Sequence, residues 1–466
     1  MARIGGQKVP AKTIWMIVSD VALIVSGLVG ATVLRFLSDY GTVRQNVFST
    51  QTIWRFAIVV SVCEFSLYFN DLYSPEVFNQ RNLVALRLLQ SFTLSTVALA
   101  FIYYLGPSLS LGRGIAALAA PLILGLTLGW RVLVDRTHLF LWGPERMLVM
   151  GTDNTGVQLV REIITRPELR YKVVGFLDER GENIGKSLVN PGIIGAAADV
   201  GAIVEDQKVD RVVLALSERR GCMPVGQLLQ LKFAGVGVEE AHSCYERVTG
   251  RILIERLSPS WLILSDGFRK SRWLLVVKRV MDFSVAAVLL LVGLPIMLIV
   301  ALAVWFETGF PTLFRQTRAG LNGTEFQVMK FRSMRHNAEA DGPRWAVERD
   351  PRITRVGRFI RKFRLDELPQ LVNVLRGEMS LVGPRPERPH FCKMLENEMP
   401  FYALRHSVRP GVTGWAQIKY PYGSTVEDAR AKLEHDLFYI KNMSLALDLA
   451  IIFETAKVML YQRGAR

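Results

Sequence analysis

The segment KRVMDFSVAAVLLLVGLPIMLIVALAVWFE, Lys278–Glu307, is a long apolar run with no charge between Phe283 and Phe306. It exceeds the ~20 residues that a helix needs to cross the hydrocarbon core of a bilayer. Pro295, near its centre, lacks a backbone donor and is expected to kink the helix. Length favours crossing, which would put the flanking polar portions on opposite sides of the membrane. A kinked helix that returns would keep both portions on one side.

Four further apolar stretches fill the first third of the chain, and each approaches the length of a membrane-spanning helix. They are Ile14–Phe36, Ile53–Phe69, Leu83–Leu105 and Ile115–Val134, and they contain the isolated ionisable residues Asp20, Glu64, Arg87 and Arg131. Such residues usually face the interior of a bundle. Lys and Arg are commoner outside the first and fourth stretches than in the connections, which predicts that both ends are cytoplasmic. Residues 1–143 are therefore predicted to form a four-helix transmembrane bundle.

Composition agrees with a membrane protein. Half of the 466 residues are hydrophobic, and four scattered cysteines form no CxxC pair, which argues against a zinc site or a disulfide framework. From Gly267 onward, 31 Lys and Arg stand against 19 Asp and Glu, so most of the net charge of +15 is C-terminal. A basic domain suits an anionic lipid surface, a phosphorylated substrate or a nucleic acid. The apolar segments argue against the last, and no nucleic-acid partner is expected.

The middle portion, residues 144–265, is typical of an α/β domain. RMLVMGTDNTGVQLVREI, Arg146–Ile163, has the pattern of a strand, a tight turn and a helix, and YKVVGFLD and VDRVVLAL follow as buried strands. This alternation predicts a small parallel sheet of the Rossmann type. Asp153 stands where the middle glycine of G-x-G-x-x-G would let a pyrophosphate approach, between Gly151 and Gly156. A structural or regulatory role is therefore favoured over nucleotide binding.

The last portion, residues 266–466, carries short polar motifs. Lys330 and Arg332 lie among aromatic residues and suit phosphate oxygens. Around Arg358, apolar and basic residues alternate at helical spacing. This pattern predicts an amphipathic helix that either lies at the membrane interface or packs on the protein core.

Asp366 and Glu367 follow this helix, and a rigid Pro384-Arg385-Pro386 lies shortly after them. An Asp-Glu pair before a proline is common at helix starts for structural reasons. Its position between a basic helix and an arginine held by two prolines favours a functional site. RPGVTGWAQ then adds a Pro-Gly turn, an arginine and Trp415, whose ring is of the type that packs against a base or a sugar ring.

The strings KRVMD, KFRSM, LDELPQL, MSLVGPRP and RPGVTGWAQ occur in one order between Lys278 and Gln417. In this order they resemble the bacterial sugar transferase family, the polyprenyl-phosphate hexose-1-phosphate transferases. The likeness is strong in the last part of the chain. The N-terminal spans and the Rossmann-like portion resemble, by architecture only, the large members such as undecaprenyl-phosphate glucose and galactose phosphotransferases.

The resemblance implies a membrane protein of the bacterial inner membrane with a monotopic α+β catalytic domain on the cytoplasmic face. The segment of about 280–306 is expected to be a re-entrant membrane helix kinked at Pro295. The reaction implied is transfer of a hexose 1-phosphate from a UDP-sugar to undecaprenyl phosphate, with Mg²⁺ as cofactor. Such a step initiates exopolysaccharide, capsule or O-antigen synthesis. Contact with membrane lipid and a homodimer are further expectations.

Roles for individual residues follow from the same resemblance and from phosphoryl-transfer chemistry. Asp366 is expected to be the nucleophile and a metal ligand, and Glu367 to position groups, deprotonate them or help to hold the metal. The expected phosphate ligands are cationic side chains: Arg385 first, then Lys330 and Arg332, and Arg358 last. Pro384 and Pro386 are expected to set the backbone, with Pro295 structural.

Two other classes of protein remain alternatives. A membrane-anchored nucleotide-sugar dehydratase or epimerase would need an intact dinucleotide turn and typically a Tyr-x-x-x-Lys pair, and no such pair lies between Met147 and Trp261. A non-enzymatic scaffold for polysaccharide assembly would need neither. Loss of transfer in Asp366→Asn with normal membrane insertion would separate an enzyme from a scaffold.

Overall fold

The computed structural model describes residues 3–4, 7–8, 11–37, 39–73, 81–137, 144–169, 171–216, 223–254, 262, 265, 267–335, 350–420, 423 and 425–461. Its N-terminal third is helical after a short antiparallel pair of strands. These elements are β1 (Arg3–Ile4), β2 (Gln7–Lys8), α1 (Ala11–Arg35), α2 (Tyr40–Phe48), α3 (Thr50–Phe69), α4 (Arg81–Leu105) and α5 (Arg113–Thr137). Helices α1, α3, α4 and α5 contain the four predicted apolar stretches, and α2 is an additional short helix.

The N-terminal helices pack through small residues and a buried polar cluster. A Cβ atom on Gly27 of α1 would lie 2.5 Å from Ile123 of α5, so the glycine permits the close approach of these two helices. Asp20 and Arg131 form an ion pair of 2.7 Å between the same helices, and Arg87 is also buried. The expectation that these ionisable residues face the interior is confirmed.

The middle portion forms a five-stranded parallel sheet with the order β5-β4-β3-β6-β7. Counted within the sheet, this is the 3-2-1-4-5 order of a Rossmann-type half, so the predicted parallel sheet is confirmed. Its elements are β3 (Glu145–Met150), α6 (Asn154–Thr165), β4 (Tyr171–Asp178), β5 (Ile193–Ala196), α7 (Val200–Asp206), β6 (Arg211–Leu214), α8 (Val225–Phe233), β7 (Gly237–Glu240) and α9 (Ala241–Thr249).

The turn that would hold a dinucleotide in a Rossmann domain is here closed by its own backbone. Gly151 adopts φ +104°, and a Cβ atom there would lie 2.2 Å from the Ala215 carbonyl oxygen. Asp153 donates its backbone N–H to that same oxygen at 3.3 Å. Gly156 lets α6 approach the sheet, since a Cβ atom there would lie 2.7 Å from Cβ of Ala215. The two glycines thus serve a tight turn and close helix–sheet packing.

The last portion begins with a 37-residue helix, α10, Arg272–Thr308, which contains Pro295. It therefore starts earlier than the segment of about 280–306 expected from the sequence. The elements that follow are β8 (Leu313–Ala319), β9 (Glu325–Phe331), α11 (Arg355–Lys362), α12 (Gln370–Arg376), β10 (Ser380–Val382), α13 (Pro389–Glu398), β11 (Gly411–Thr413), α14 (Trp415–Lys419), α15 (Val426–Asn442) and α16 (Leu445–Tyr461). Strands β8 and β9 form an antiparallel hairpin, and β10 pairs with β11 in parallel.

Long apolar helices make the chain a membrane protein. Helices α3 and α10 in full, and most of α1, α4 and α5, are long and apolar enough to cross a bilayer. The middle of α10 is exposed, with Leu291 at 74% and Ile299 at 67%. Large exposed apolar side chains in an unbroken helical run are suited to lipid rather than to water.

Helix α16 joins the last portion to the N-terminal helices. Phe453 of α16 packs edge-on against Phe65 and Phe69 of α3, at ring-centre distances of 5.3 and 5.4 Å. Lys457, one turn further along α16, forms an ion pair with Asp71 just after α3. Apolar and ionic contacts therefore meet at one point between the two parts.

The Rossmann-like portion contacts α14 and α15. Glu246 of α9 accepts hydrogen bonds from Lys441 at 2.7 Å and from Asn442 at 2.8 Å. The indole N–H of Trp415 donates to the Gly250 carbonyl at 2.7 Å, and Trp415 is buried. The expectation that this ring packs against a substrate base or sugar ring is wrong, because the ring is buried and stacks on Phe438 of α15, and its N–H is used by Gly250.

Candidate active site

The two acidic residues singled out in the sequence lie in a short 3₁₀ turn, Leu365–Glu367, between α11 and α12. Arg364, just before the turn, adopts the left-handed conformation with φ +53°, which reverses the chain after α11. Pro369 then precedes the first residue of α12, where its missing N–H costs no helical hydrogen bond. The turn leaves Asp366 at 7% exposure and Glu367 at 8%.

Glu367 is surrounded by cations from three separate elements. Its Oε1 atom accepts hydrogen bonds from Arg385 Nη2 at 2.7 Å and from Lys330 Nζ at 3.1 Å. Arg364 Nη1 lies 3.7 Å from its other carboxylate oxygen. Strand β9 provides the lysine and the loop after β10 provides Arg385. Glu367 is therefore the anchor that brings the two basic motifs together.

The neighbouring carboxyl groups have opposite pKa shifts. Burial raises the pKa of Asp366, and the negative charge of Glu367 raises it further, against the opposing effects of Lys330, Arg361 and Arg385. Burial would also raise the pKa of Glu367, but Arg385, Lys330 and Arg364 hold it well below its usual range. Glu367 therefore keeps its negative charge near neutral pH. The raised pKa of Asp366 makes its carboxylate the more basic of the two.

The loop that carries Arg385 is fixed through its backbone. Gly411 N–H donates to the Pro384 carbonyl at 2.9 Å, and Arg405 Nη2 donates to the Arg385 carbonyl at 2.9 Å. Arg318 Nη1 donates to the Pro386 carbonyl at 3.0 Å. Three successive carbonyl groups are therefore held by other parts of the domain, and the role of the two prolines in setting the backbone stays a prediction. The Arg385 side chain remains 38% exposed, so it can meet a ligand.

A second layer behind this loop was not found from the sequence. Arg405 Nη2 also contacts Asp436 Oδ2 at 2.9 Å, and Arg405 Nη1 donates to the Tyr402 hydroxyl at 2.5 Å. Burial raises the pKa of Asp436 to about 6, although Arg405 opposes the rise. These residues lie on α15 and on the turn after α13. Nothing in their spacing relates them to Arg385, because tertiary packing brings them together.

The remaining candidate residues, Arg332, Arg358 and Pro295, lie on or next to three different elements. Arg332 follows β9 and lines a groove at the end of the hairpin. Arg358 is exposed on α11, whereas Arg361 of the same helix lies close enough to Asp366 to lower its pKa. Pro295 lies in the exposed apolar stretch of α10. Arg361 is thus a nearby cation that the sequence argument passed over in favour of Arg358.

Helix α11 packs on the protein core through one face, which is one of the two alternatives left open by its pattern. Ile360 is buried against Val300 and Val304 of α10 and Phe331 of β9. Phe359 on the same helix is 58% exposed. One face of α11 therefore packs on the protein, and the other presents an aromatic ring and cations to the surroundings.

For a divalent cation, the site offers carboxylates rather than a closed cage. Among the described residues, no group of three or more His, Cys, Asp or Glu side chains has the arrangement of a metal site. Mg²⁺ commonly takes only one or two carboxylates together with substrate phosphate oxygens. Glu367 already binds two cations, which leaves the Asp366 carboxylate as the donor that fits this pattern.

Comparison with known proteins agrees with this arrangement of motifs. The family described as "Bacterial sugar transferase" matches residues 273–462, and the family described as "CoA-binding domain" matches residues 68–229. The UDP-glucose:undecaprenyl-phosphate glucose-1-phosphate transferase of Caulobacter vibrioides is 46% identical over 187 residues, which cover 39% of this chain and 69% of that protein. The chain belongs to the bacterial sugar transferase family.

Two other relatives in the family align over longer stretches. The UDP-N-acetylgalactosamine-undecaprenyl-phosphate N-acetylgalactosaminephosphotransferase of Aeromonas hydrophila is 42% identical over 239 residues, or 51% of this chain and 56% of that protein. The undecaprenyl-phosphate glucose phosphotransferase of Komagataeibacter xylinus is 34% identical over 328 residues, or 69% of this chain and 60% of that protein. This bacterial sugar transferase thus spans less than two thirds of the length of these two relatives.

Proposed function

We propose that this chain transfers a hexose 1-phosphate from a UDP-sugar to undecaprenyl phosphate, releasing UMP and forming an undecaprenyl-diphosphate-sugar. The observation that carries the proposal is the buried Asp366–Glu367 pair, in which Glu367 binds Lys330 and Arg385. Family membership supports the same reaction class, since the aligned relatives are named as undecaprenyl-phosphate sugar phosphotransferases. The proposed product would initiate exopolysaccharide, capsule or O-antigen synthesis.

In the first step, an Asp366 carboxylate oxygen attacks the phosphorus atom that bears the sugar. A bond forms between that oxygen and phosphorus, and the bond from phosphorus to the bridging oxygen breaks, so UMP leaves with the bridging oxygen. In the second step, a phosphate oxygen of undecaprenyl phosphate attacks the same phosphorus and restores the carboxylate. Charge balances in both steps without proton transfer, so no general base is required.

The cations around Glu367 supply the electrostatics of this mechanism. A carboxylate, a diphosphate and a lipid phosphate repel one another, and phosphoryl transfer depends on neutralising and positioning these charges. Glu367 holds Lys330 and Arg385 beside Asp366, while Arg385 keeps part of its surface for a phosphate. Glu367 therefore acts as a positioning residue rather than as a base.

Magnesium is the proposed cofactor, with Asp366 and the donor phosphate oxygens as its ligands. It would supply positive charge to the diphosphate when bound. Lys330 lies in the same place. Burial lowers its pKa, and the neighbouring Glu367 and Asp366 carboxylates oppose this and favour its charged form.

We propose that α10 is re-entrant and that α1, α3, α4 and α5 form a transmembrane bundle. A straight 37-residue helix would be ~55 Å long, well beyond the ~30 Å hydrocarbon core. Near its start, Arg279 donates to the Val374 carbonyl on α12 at 2.6 Å. Near its end, Glu307 accepts the backbone N–H groups of Arg355 and Val356 on α11. Both ends thus contact adjacent helices of one domain, which supports a helix that returns to the same face, taken here as the cytoplasmic face of the inner membrane.

The dehydratase or epimerase alternative finds little support. Its cofactor pyrophosphate would need the turn at Gly151. There the Asp153 backbone N–H donates to the Ala215 carbonyl, and Asp153, a carboxylate, stands directly before α6. A structural or regulatory role for the Rossmann-like portion fits its contacts with α15. A scaffold would not require a pair of buried carboxylates with clustered cations.

The experiment that tests the proposal measures UMP released from a panel of UDP-sugars by purified membranes with undecaprenyl phosphate and Mg²⁺. The wild type should release UMP from one sugar, with turnover that requires the lipid, and Asp366→Asn should release none. Glu396→Gln, an exposed carboxylate on α13, is the matched control and should retain activity. Absence of UMP from every UDP-sugar, followed by failure of other nucleotide sugars, would refute the reaction and favour the scaffold.

A further inference from the structure

A groove of about 580 Å³ lies where α10 ends and the β8–β9 hairpin begins. Phe310, Pro311 and Phe314 provide apolar surface, and Arg315 and Arg332 provide guanidinium groups. An apolar wall beside two cations suits an amphiphile with an anionic head.

Three aromatic side chains place this groove at the edge of the membrane. Trp305, Phe306 and Phe310 are 41%, 80% and 73% exposed, and the Trp305 ring lies 5.0 and 5.7 Å from the other two rings. Aromatic residues at the end of an apolar membrane helix are typical of the headgroup level. The groove therefore opens where lipid phosphates lie.

The hairpin connects the groove to the lysine that contacts Glu367. Arg332 follows Lys330 by two residues, just past the end of β9, which is ~7 Å along an extended chain. Phe314 pairs with Lys330 across the ladder, and the Arg332 backbone N–H donates to Thr312 at 2.8 Å. A phosphate held at Arg332 would thus lie one step along the strand from the lysine that contacts Glu367.

We propose that this groove receives the acceptor lipid, with Arg332 binding the phosphate of the prenyl phosphate and Phe310 and Phe314 packing against its first prenyl units. The proposal rests on the proposed function and assigns the acceptor side of the same site. A nucleotide sugar is water-soluble and has no aliphatic chain to bury at headgroup level, whereas a prenyl phosphate matches both halves of the groove. Arg385 is left for the donor phosphates.

The test compares wild type, Arg332→Ala, Arg332→Lys and the exposed control Arg376→Ala in nanodiscs. Binding of undecaprenyl phosphate is measured without donor, and UMP release in one turnover is measured without lipid. Arg332→Ala should weaken lipid binding and raise the KM for undecaprenyl phosphate at least tenfold. Its lipid-free UMP burst and KM for the UDP-sugar should match wild type, and Arg332→Lys should restore part of the binding.

Other outcomes overturn the assignment. Unchanged lipid binding in Arg332→Ala, or an equal loss in the UMP burst, would place Arg332 elsewhere or on the donor. Equal competition by phosphatidylglycerol would show a general lipid site.

The variant Phe314→Ser tests the apolar wall without altering charge. It should weaken binding of undecaprenyl phosphate more than binding of farnesyl phosphate, and equal weakening would contradict contact with the prenyl chain. Lipid binding that depends on Arg332 in a protein releasing no UMP would support the groove and refute the reaction.

Discussion

Two buried charge clusters in this chain consist of the same residue types but serve different purposes. In the N-terminal helices, Asp20 and Arg131 have side-chain exposures of 0% and 2%, and the Tyr73 hydroxyl contacts both Asp20 and Glu64. In the last portion, Glu367 has 10% side-chain exposure but its partner Arg385 has 38%. The first cluster is closed by its own residues, whereas the second keeps cationic surface for a ligand.

The exposure of the cation distinguishes a structural ion cluster from a functional one. The cation of the closed cluster is used within the protein, since Arg131 also donates to the Leu72 carbonyl at 2.9 Å. In the open cluster, the fixed backbone of Arg385 holds the base of a side chain whose tip remains partly exposed. Substitutions should therefore affect stability in the first cluster and turnover in the second.

The largest expected effect is on the covalent intermediate. Incubation with a UDP-sugar and Mg²⁺ without lipid should add a sugar phosphate to Asp366, detectable by intact-protein mass spectrometry. Asp366→Asn should abolish the adduct and reduce transfer by at least about 10⁴-fold, because the nucleophile is lost. Asp20→Asn should retain the adduct in the fraction that inserts. An adduct in Asp366→Asn would show that another residue is the nucleophile.

The next effect is on stability in the closed cluster. Arg131→Met leaves the Asp20 carboxylate buried without its partner and should destabilise the protein by about 3–5 kcal/mol, as broken buried pairs do. Thermal unfolding in detergent measures the loss, with exposed Arg113→Met as the control. The double variant Asp20→Leu/Arg131→Met should recover much of the stability. If Arg131→Met instead lowers kcat in folded protein, the closed cluster has a functional role.

A smaller effect on turnover is expected at Arg385. Arg385→Ala should lower kcat/KM by about 10²–10³-fold, as removal of one preorganised electrostatic contact typically does. Arg385→Lys should recover only part of this, since the bidentate geometry is lost. Steady-state kinetics with purified protein measure both. Activity of Arg385→Ala within twofold of wild type would exclude a role in phosphate binding.

The pH dependence distinguishes the two neighbouring carboxyl groups. The nucleophile acts only when ionised, so activity should fall as pH drops through the raised pKa of Asp366. Glu367→Gln removes a negative charge that raises this pKa, so the acid limb of the pH–rate profile should move to lower pH. kcat should also fall, because Lys330 and Arg385 lose their anchor. An acid limb that moves to higher pH would contradict the assigned interaction.

How much of this was predictable depends on the distance in sequence between partners. The parallel sheet, the apolar helices and the Asp366–Glu367 pair follow from local pattern. The contacts of Lys330 and Arg385 with Glu367 do not, because the sequence suggested both cations only as phosphate ligands. Arg361 was passed over for Arg358 because helical spacing alone does not say which face meets the dyad. The Arg405–Asp436 pair spans 31 residues, and only tertiary packing relates it to Arg385. Trp415 was misassigned because a buried tryptophan and a ligand-stacking one have the same local sequence.

The smallest effect on the reaction is expected from a truncation that removes the N-terminal helices, with the closed cluster, and the Rossmann-like portion. A protein beginning near Arg272 retains the hairpin, the dyad and the Arg385 loop, so it should insert through α10. Its activity should stay within about tenfold of the full chain, because no residue assigned to the reaction is lost. It loses the partners of Trp415, Lys441 and Lys457, so its thermal unfolding temperature should fall. Lipid-dependent UMP release and unfolding are measured on the same preparation. Complete inactivity with correct insertion would mean that the last portion is not self-sufficient, and that the contacts of α14, α15 and α16 with the rest of the chain hold the site in its active geometry.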